Sequence, residues 1–169
     1  MPVELHLVGM THDFKLWHTI RDGGGGWEPF GDVIRQAKGI DPATIEDVAC
    51  AVDSKGNLHV VLVANDGQLL HTMRKADRNF TDMANIRTAQ GDQLQEGKFT
   101  AVAATTEGTS LHVVVAKDDQ KLYYTRRVVT GSASEWSPKL TAFRPADPPG
   151  QPPLASRRFK LLSATFVKR

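Results

Sequence analysis

The sequence predicts an all-β repeat protein. Three observations lead there: a period of 53 residues, short apolar runs rich in β-branched side chains, and turn residues that punctuate those runs. Leu5-His6-Leu7-Val8 recurs as Leu58-His59-Val60-Val61 and again as Leu111-His112-Val113-Val114. The same spacing relates Leu16, Leu69 and Leu122, then Thr19, Thr72 and Thr125, then Arg21, Arg74 and Arg127. A spacing held at four independent positions through two steps is not chance.

Within each copy the elements follow in order. Strand A covers Val48 to Val52, matched to Ala101 to Thr105, and each run precedes a Gly-containing turn. Strand B surrounds the histidine. In Leu58 to Val63 both alternating faces are apolar apart from His59, which suits a sheet packed between two neighbouring sheets. A turn at Asn65-Asp66-Gly67 or Asp118-Asp119-Gln120 leads into strand C, Leu-x-x-Thr-x-Arg, whose amphipathic pattern places it nearer an outer edge. A polar hairpin follows, then a short strand D opening with Trp27, Phe80 or, after a three-residue insertion, Trp136. Helix is not expected, because the apolar runs are short, β-branched and interrupted by glycine.

Four short antiparallel strands per ~50 residues is the pattern of a β-propeller blade. The connections from D to the next A are long and polar: Arg35 to Asp47, Arg87 to Lys98, and Arg144 to Arg158, whose prolines cannot continue a central strand. The final segment, Phe159 to Arg169, reads as another strand A, whereas the first copy starts directly at strand B. The expectation is therefore one β-propeller domain over 1–169 with three four-stranded blades, repeats at approximately 3–47, 48–98 and 99–143, and a closing strand at 159–169. One blade is split between the N- and C-termini. Three blades are fewer than the usual four to eight, so two chains are expected to form a six-bladed ring as a homodimer with no open strand edge.

Composition narrows the classes of function. The 21 basic and 19 acidic residues are interspersed, so no basic field for nucleic acid is visible, and Arg157, Arg158, Lys160, Lys168 and Arg169 read as solvated charges. Cys50 is alone inside an apolar run and behaves as a small hydrophobe. No stretch approaches the ~20 apolar residues of a membrane span, and no leader pattern opens the sequence, so a soluble cytoplasmic protein is the default expectation.

Leu16-Trp17-His18-Thr19-Ile20-Arg21, Gly26-Trp27-Glu28-Pro29-Phe30-Gly31-Asp32-Val33 and Asn57-Leu58-His59-Val60-Val61 resemble blades of bacterial lectin-like propellers, the tectonin and fucose-binding lectin group. The resemblance covers essentially the whole chain and implies sugar binding in clefts between neighbouring blades, through aromatic stacking with arginine or acidic partners. An acidic residue repeated in every blade is missing here. A second resemblance is to the Asp-box hairpin of sialidases, matched by Asp22, Gly24 and Trp27 with Gly26 in place of threonine, and it implies a structural turn.

The expected ligand-binding residues are Arg21, Arg74 and Arg127 with the aromatics Trp17, Trp27, Tyr123, Tyr124 and Trp136. An aromatic face stacks on a pyranose, and a guanidinium offers forked donors to hydroxyls or a carboxylate. The bland reading is that Trp27, Phe80 and Trp136 fill space between blades and that the arginines form internal ion pairs. Trp17 has Leu70 and Tyr123 as its equivalents, and a position that varies in this way need not be a fixed core contact. His18 and His71, with Tyr124 in the third copy, are expected as polar rim residues. His6, His59 and His112 are expected to be structural and not metal ligands, since no second ligand stands at short spacing. No cofactor is expected. Nor is catalysis: nucleophile elbow, phosphate loop and zinc motif are all missing, and Asp22, Glu28, Asp77 and Glu135 lie on hairpins of separate copies. The functional expectation is a non-enzymatic carbohydrate-binding propeller for a glycan or small saccharide, with a protein-interaction propeller as the alternative.

Overall fold

The computed structural model describes residues 4–13, 15–39, 45–89, 97–118, 121–130, 133–136 and 141–143. The expected closing strand 159–169 and the proline-rich connection 144–158 lie outside these. The described chain is mostly β and forms three antiparallel sheets. The first contains β1 (Leu5–Met10), β2 (Leu16–Arg21) and β3 (Gly31–Asp32), in that order. A one-turn helix, α1 (Val33–Ala37), leads to the central sheet of β4 (Ile45–Val52), β5 (Leu58–Ala64), β6 (Leu69–Arg74) and β7 (Ala84–Asn85). A second short helix, α2 (Ile86–Ala89), precedes the third sheet: β8 (Phe99–Glu107), β9 (Ser110–Lys117), β10 (Leu122–Thr130), β11 (Ala133–Trp136) and β12 (Thr141–Phe143).

The same strand pairings recur in the three sheets. Strand D is broken in each. Its aromatic residue pairs with the strand-C arginine, at Arg21–Trp27, Arg74–Phe80 and Arg127–Trp136. Its second piece returns to the start of strand C, pairing His18 with Gly31, His71 with Ala84 and Tyr124 with Thr141. The five strands of the third sheet are thus A, B, C and a D in two pieces. Side-chain bonds repeat as well: the Thr19 and Thr72 hydroxyls each donate to a strand-D carbonyl, of Glu28 and Thr81, at 2.6 Å.

Two expectations need correction. Val48 pairs with Leu62 and Val102 with Val115, so Val48 corresponds to Val102 and strand A is offset by one residue from the match proposed on sequence. The cause is the turn. In the central sheet the A–B turn is closed by Asp53, whose carboxylate accepts from Lys55 N, Asn57 N and the Asn57 side chain. In the third it shrinks to a two-residue hairpin between Glu107 and Ser110, with Gly108 at φ 58°. One residue fewer in the turn makes the strand-A spacing 54 where that of strand B is 53, while the pairing of A with B is the same in both sheets. Secondly, short helices do form, at α1 and α2, where the Asp32 and Asn85 side chains cap them by accepting from Arg35 N and Arg87 N.

The core lies in two layers between sheets. Leu16, Val33, Leu58, Val60, Leu62 and Leu70 pack with their neighbours between the first and central sheets. Val61, Val63, Leu69, Phe99, Val113 and Tyr123 fill the second layer, between the central and third sheets. All seven residues of β5 are buried, as a strand sandwiched on both faces requires. Burial of this kind contributes ~25 cal/mol per Å² of apolar surface, so the two layers carry most of the cohesion between sheets. The inner strands are also stitched by hydrogen bonds. Val102 N donates to Asp47 Oδ2 at 2.8 Å, the Thr106 hydroxyl to Val52 O at 2.6 Å, and Ser54 N to Gly108 O at 2.8 Å.

Candidate functional site: a repeated histidine and aromatic junction

Strands B and C place one side chain each at a fixed pair of positions facing the next sheet. In the central sheet these are His59 and His71, whose rings stack with centroids 5.3 Å apart and whose Nδ1 and Nε2 lie 3.1 Å apart. In the first sheet His6 and His18 repeat both values. In the third, Tyr124 replaces the second histidine, and its hydroxyl lies 2.8 Å from His112 Nδ1.

A carboxylate stands on the far side of each strand-B imidazole: Glu4 at 3.6 Å from His6, Asp53 at 3.5 Å from His59, and Glu107 at 3.8 Å from His112. These separations lie at or beyond hydrogen-bond reach, so the carboxylate acts on Nε2 mainly through its charge. A proton on Nε2 faces that charge favourably and leaves Nδ1 as the acceptor. The strand-C partner then donates, as the Tyr124 hydroxyl is built to do in the third copy.

The junction is completed by the following sheet. Phe80 packs edge-on against His18 with centroids 6.1 Å apart, and Trp136 packs edge-on against His71 at 5.3 Å. The strand-C arginine of the following sheet, Arg74 or Arg127, acts electrostatically on the same pair. His18 is pushed down to about 4, first by burial, then by Arg74 and by His6. His71 is held well below its ordinary value by burial, then by His59 and Arg127, and His59 is lowered mainly by burial against the opposing pull of Asp53. Both histidine pairs are therefore neutral at pH 7, and in each the strand-C Nε2–H donates to the Nδ1 lone pair of the strand-B ring. Among the described residues no group of three or more His, Cys, Asp or Glu side chains gathers as metal ligands.

At the mouths of these junctions the side chains are half-buried. Arg74, Phe80 and Glu28 rim the first, where Glu28 is held by the exposed Arg78 at 3.0 Å. Arg127 and Trp136 rim the second. No ion pair joins Arg74 to Glu28, whose charge only offsets part of the burial that lowers the arginine pKa. Arg127 has the same relation to Asp53.

The remaining expected residues fall elsewhere. His18 and His71 are 6% and 7% exposed, so they are buried members of the histidine pairs and not rim residues. Tyr123 and Leu70 lie in the two core layers, where Tyr123 meets Phe99 edge-on. Variation at this position reflects how each layer fills its space, since a Leu in one and a Tyr in the other both close it. Trp17, at the same position of the first sheet, is half-buried beside Leu7, Gly9, Met10, Thr11 and Phe30 in an open apolar groove of about 570 Å³, with its indole N–H donating to the Thr11 hydroxyl at 3.3 Å. Arg21 and Trp27 are exposed. Asp22 accepts from Gly24 N and Gly26 N, both at 2.9 Å, which makes it the fastener of its own turn. Sequence reasoning did not find the pairing of strand-B and strand-C histidines, although their constant separation of 12 residues across a hairpin was visible.

No protein-family model and no curated protein matches this chain.

Proposed function

We propose that the chain is a non-enzymatic, lectin-like carbohydrate-binding protein, its sheets being blades of a β-propeller and its sugar sites the mouths of the clefts between them. The propeller reading is supported by three antiparallel sheets packed face to face in sequence, with hydrogen bonds joining the A strands of the central and third sheets, and with the D-strand regions meeting the preceding sheet through the Phe80 and Trp136 rings, the Glu28–Arg78 ion pair and the Met83 N–H donating to Lys38 O. Successive blades of a propeller pack in this way. The observation that carries the sugar reading is that a half-buried aromatic and an arginine stand together at two successive clefts, Phe80 with Arg74 and Trp136 with Arg127. The ring offers an apolar surface to a pyranose and the guanidinium offers paired donors to hydroxyls or a carboxylate. Several weak equivalent sites gain affinity on a multivalent glycan.

The carboxylates bear on the absence of catalysis in this proposal. Asp22 and Asp77 are occupied as turn acceptors and Glu28 by Arg78, so none is poised with a partner acid. Titration calorimetry against a panel of neutral and acidic mono- and disaccharides tests the reading. Trp136→Ala is expected to weaken binding by about 1 kcal/mol, roughly fivefold, and Arg127→Ala by a similar amount. Absence of heat for every saccharide at millimolar concentration would overturn it.

A further inference from the structure

Strand B has a neighbour on each side in two of the three sheets: β5 lies between β4 and β6, and β9 between β8 and β10. In the first sheet β1 pairs with β2 alone, so among the described residues its other edge is open. The place left empty is that of strand A. Thr11 N donates to Lys15 O, and the two sides of an antiparallel strand alternate. The N–H groups of Leu5, Leu7 and Gly9 therefore face β2, while those of His6, Val8 and Met10 face the open edge. The central sheet has the same parity: its A–B ladder starts with Asp53 N donating to Asn57 O, so His59 and Val61 turn their N–H groups toward β4. An unpaired edge carrying exposed apolar side chains, Leu5 at 56% and Leu7 at 46%, is a template for another strand.

A segment with the sequence of a strand A exists outside the described residues. Phe159, Ala164 and Thr165 repeat Phe99, Ala104 and Thr105 of β8 at one constant spacing, with Leu162 for Val102 and Ser163 for Ala103. Phe99 is the buried anchor of β8, at 2% exposure.

We infer that the edge of β1 is a strand-acceptor site and that its occupant is residues 159–167 of a second copy of this chain, added antiparallel as strand A. A second copy is the source because of how the chain reaches its other A strands. Connections of similar length run from Asp32 to Ile45 and from Asn85 to Phe99, and each leads to the sheet that follows. The stretch from Phe143 to Phe159 matches them in length and so leads onward from the third sheet, not back past the central one. The register of β8 on β9 gives the pairing: Thr165 opposite His6, Ser163 opposite Val8 and Ala164 opposite Leu7. Val8 and Ser163 exchange both backbone hydrogen bonds, whereas Leu7 and Ala164 form a pair without them, in which the side chains stand closer. Two such exchanges related by a two-fold axis join two chains and leave neither edge open. The far face of the third sheet, closed over Ala101, Ala116 and Leu122, takes no part in this pairing.

A disulfide placed at the close pair tests the inference, since directly opposite residues of this kind come within bonding geometry. The double variant Leu7→Cys with Ala164→Cys, oxidised at tens of micromolar, is expected to run as two chains on a non-reducing gel and as one chain after reduction. Peptide mapping is expected to find positions 7 and 164 joined. Each single variant retains Cys50 and is expected to give at least tenfold less of the joined product. A disulfide closed within one chain would overturn the second-copy occupant, and crosslinking no greater than in the single variants would overturn the pairing itself. Val8→Pro and Ser163→Pro each remove an N–H from the proposed ladder, and Val8→Pro leaves the bonds to β2 in place. Each is expected to weaken the two-chain association at least tenfold by light scattering while keeping the wild-type circular dichroism. A wild-type mass of one chain, or a Ser163→Pro variant that stays assembled as wild type, would contradict the inference. No saccharide enters these measurements, so failure of the sugar reading leaves their outcome unchanged.

Discussion

His71 is where the chemistry of a single residue is most constrained. It is hydrogen-bonded to His59, covered by the Trp136 ring, and faced by a guanidinium from the third sheet. Protonating it would place a cation among buried apolar groups beside Arg127, so the folded state resists the proton. An unfolded histidine titrates near 6.5. His6, His18, His59, His71 and His112 are all lowered in the fold, so between 6.5 and the folded values the unfolded chain binds more protons. Stability is therefore fully present above pH 6.5 and lost progressively as pH falls toward 4, the value reached by His18. The lowered carboxylates Asp53 and Asp77 contribute their loss only below the ordinary aspartate value, so the window from 6.5 to 4 belongs to the histidines. Melting temperatures measured at intervals from pH 7.5 to 4.5 should fall steadily below 6.5. A flat profile, or a rise on acidification, would contradict the buried neutral pairs.

At the scale of elements, the A–B turn of the central sheet is the most specialised loop. Asp53 and Asp22 make the same kind of turn, each accepting two backbone N–H groups, but Asp53 is 6% exposed, binds the Asn57 side chain and faces His59, whereas Asp22 is open to solvent. Asp53→Ala is expected to destabilise the protein by about 2 kcal/mol, because buried donors lose their acceptor, and Asp22→Ala by less than about 1 kcal/mol. Urea unfolding of the two variants checks this; equal losses would mean that burial at Asp53 is unimportant. The same turn explains the reach of sequence reasoning. Strands B and C are legible because each is a fixed-length arm of one hairpin, from the histidine to the arginine, and the period survives in it. Strand A is not, because the deletion at Glu107–Ser110 shifts it by one residue within an apolar run that reads alike in either register. Helices α1 and α2 escape because a single turn after a two-residue strand has no periodicity of its own, although Asp32 and Asn85 mark their caps one period apart. The role of Tyr123 is hidden for another reason: the sequence names equivalent positions but not which face the preceding sheet covers.

For the whole molecule, one junction recurs among the described residues, Phe80 on His18 and Trp136 on His71. The central and third sheets each lend an aromatic and an arginine to the sheet before, Phe80 with Arg74 and Trp136 with Arg127. The central sheet both lends and receives, and its strand β5 is buried throughout. Among the described residues no sheet precedes the first, and its face with Leu5, Leu7, Trp27 and Phe30 is exposed, whereas the far face of the third sheet is closed over Ala101, Ala116 and Leu122. Repeat proteins in which each unit touches only its neighbours expose such faces at both ends unless the array closes. Small-angle X-ray scattering of the wild-type chain across a concentration series reads mass and shape together. Closure predicts a mass twice 18.6 kDa that persists on dilution to low micromolar, with the single-peaked distance distribution of a compact disc. A particle of 18.6 kDa that stays folded would contradict it.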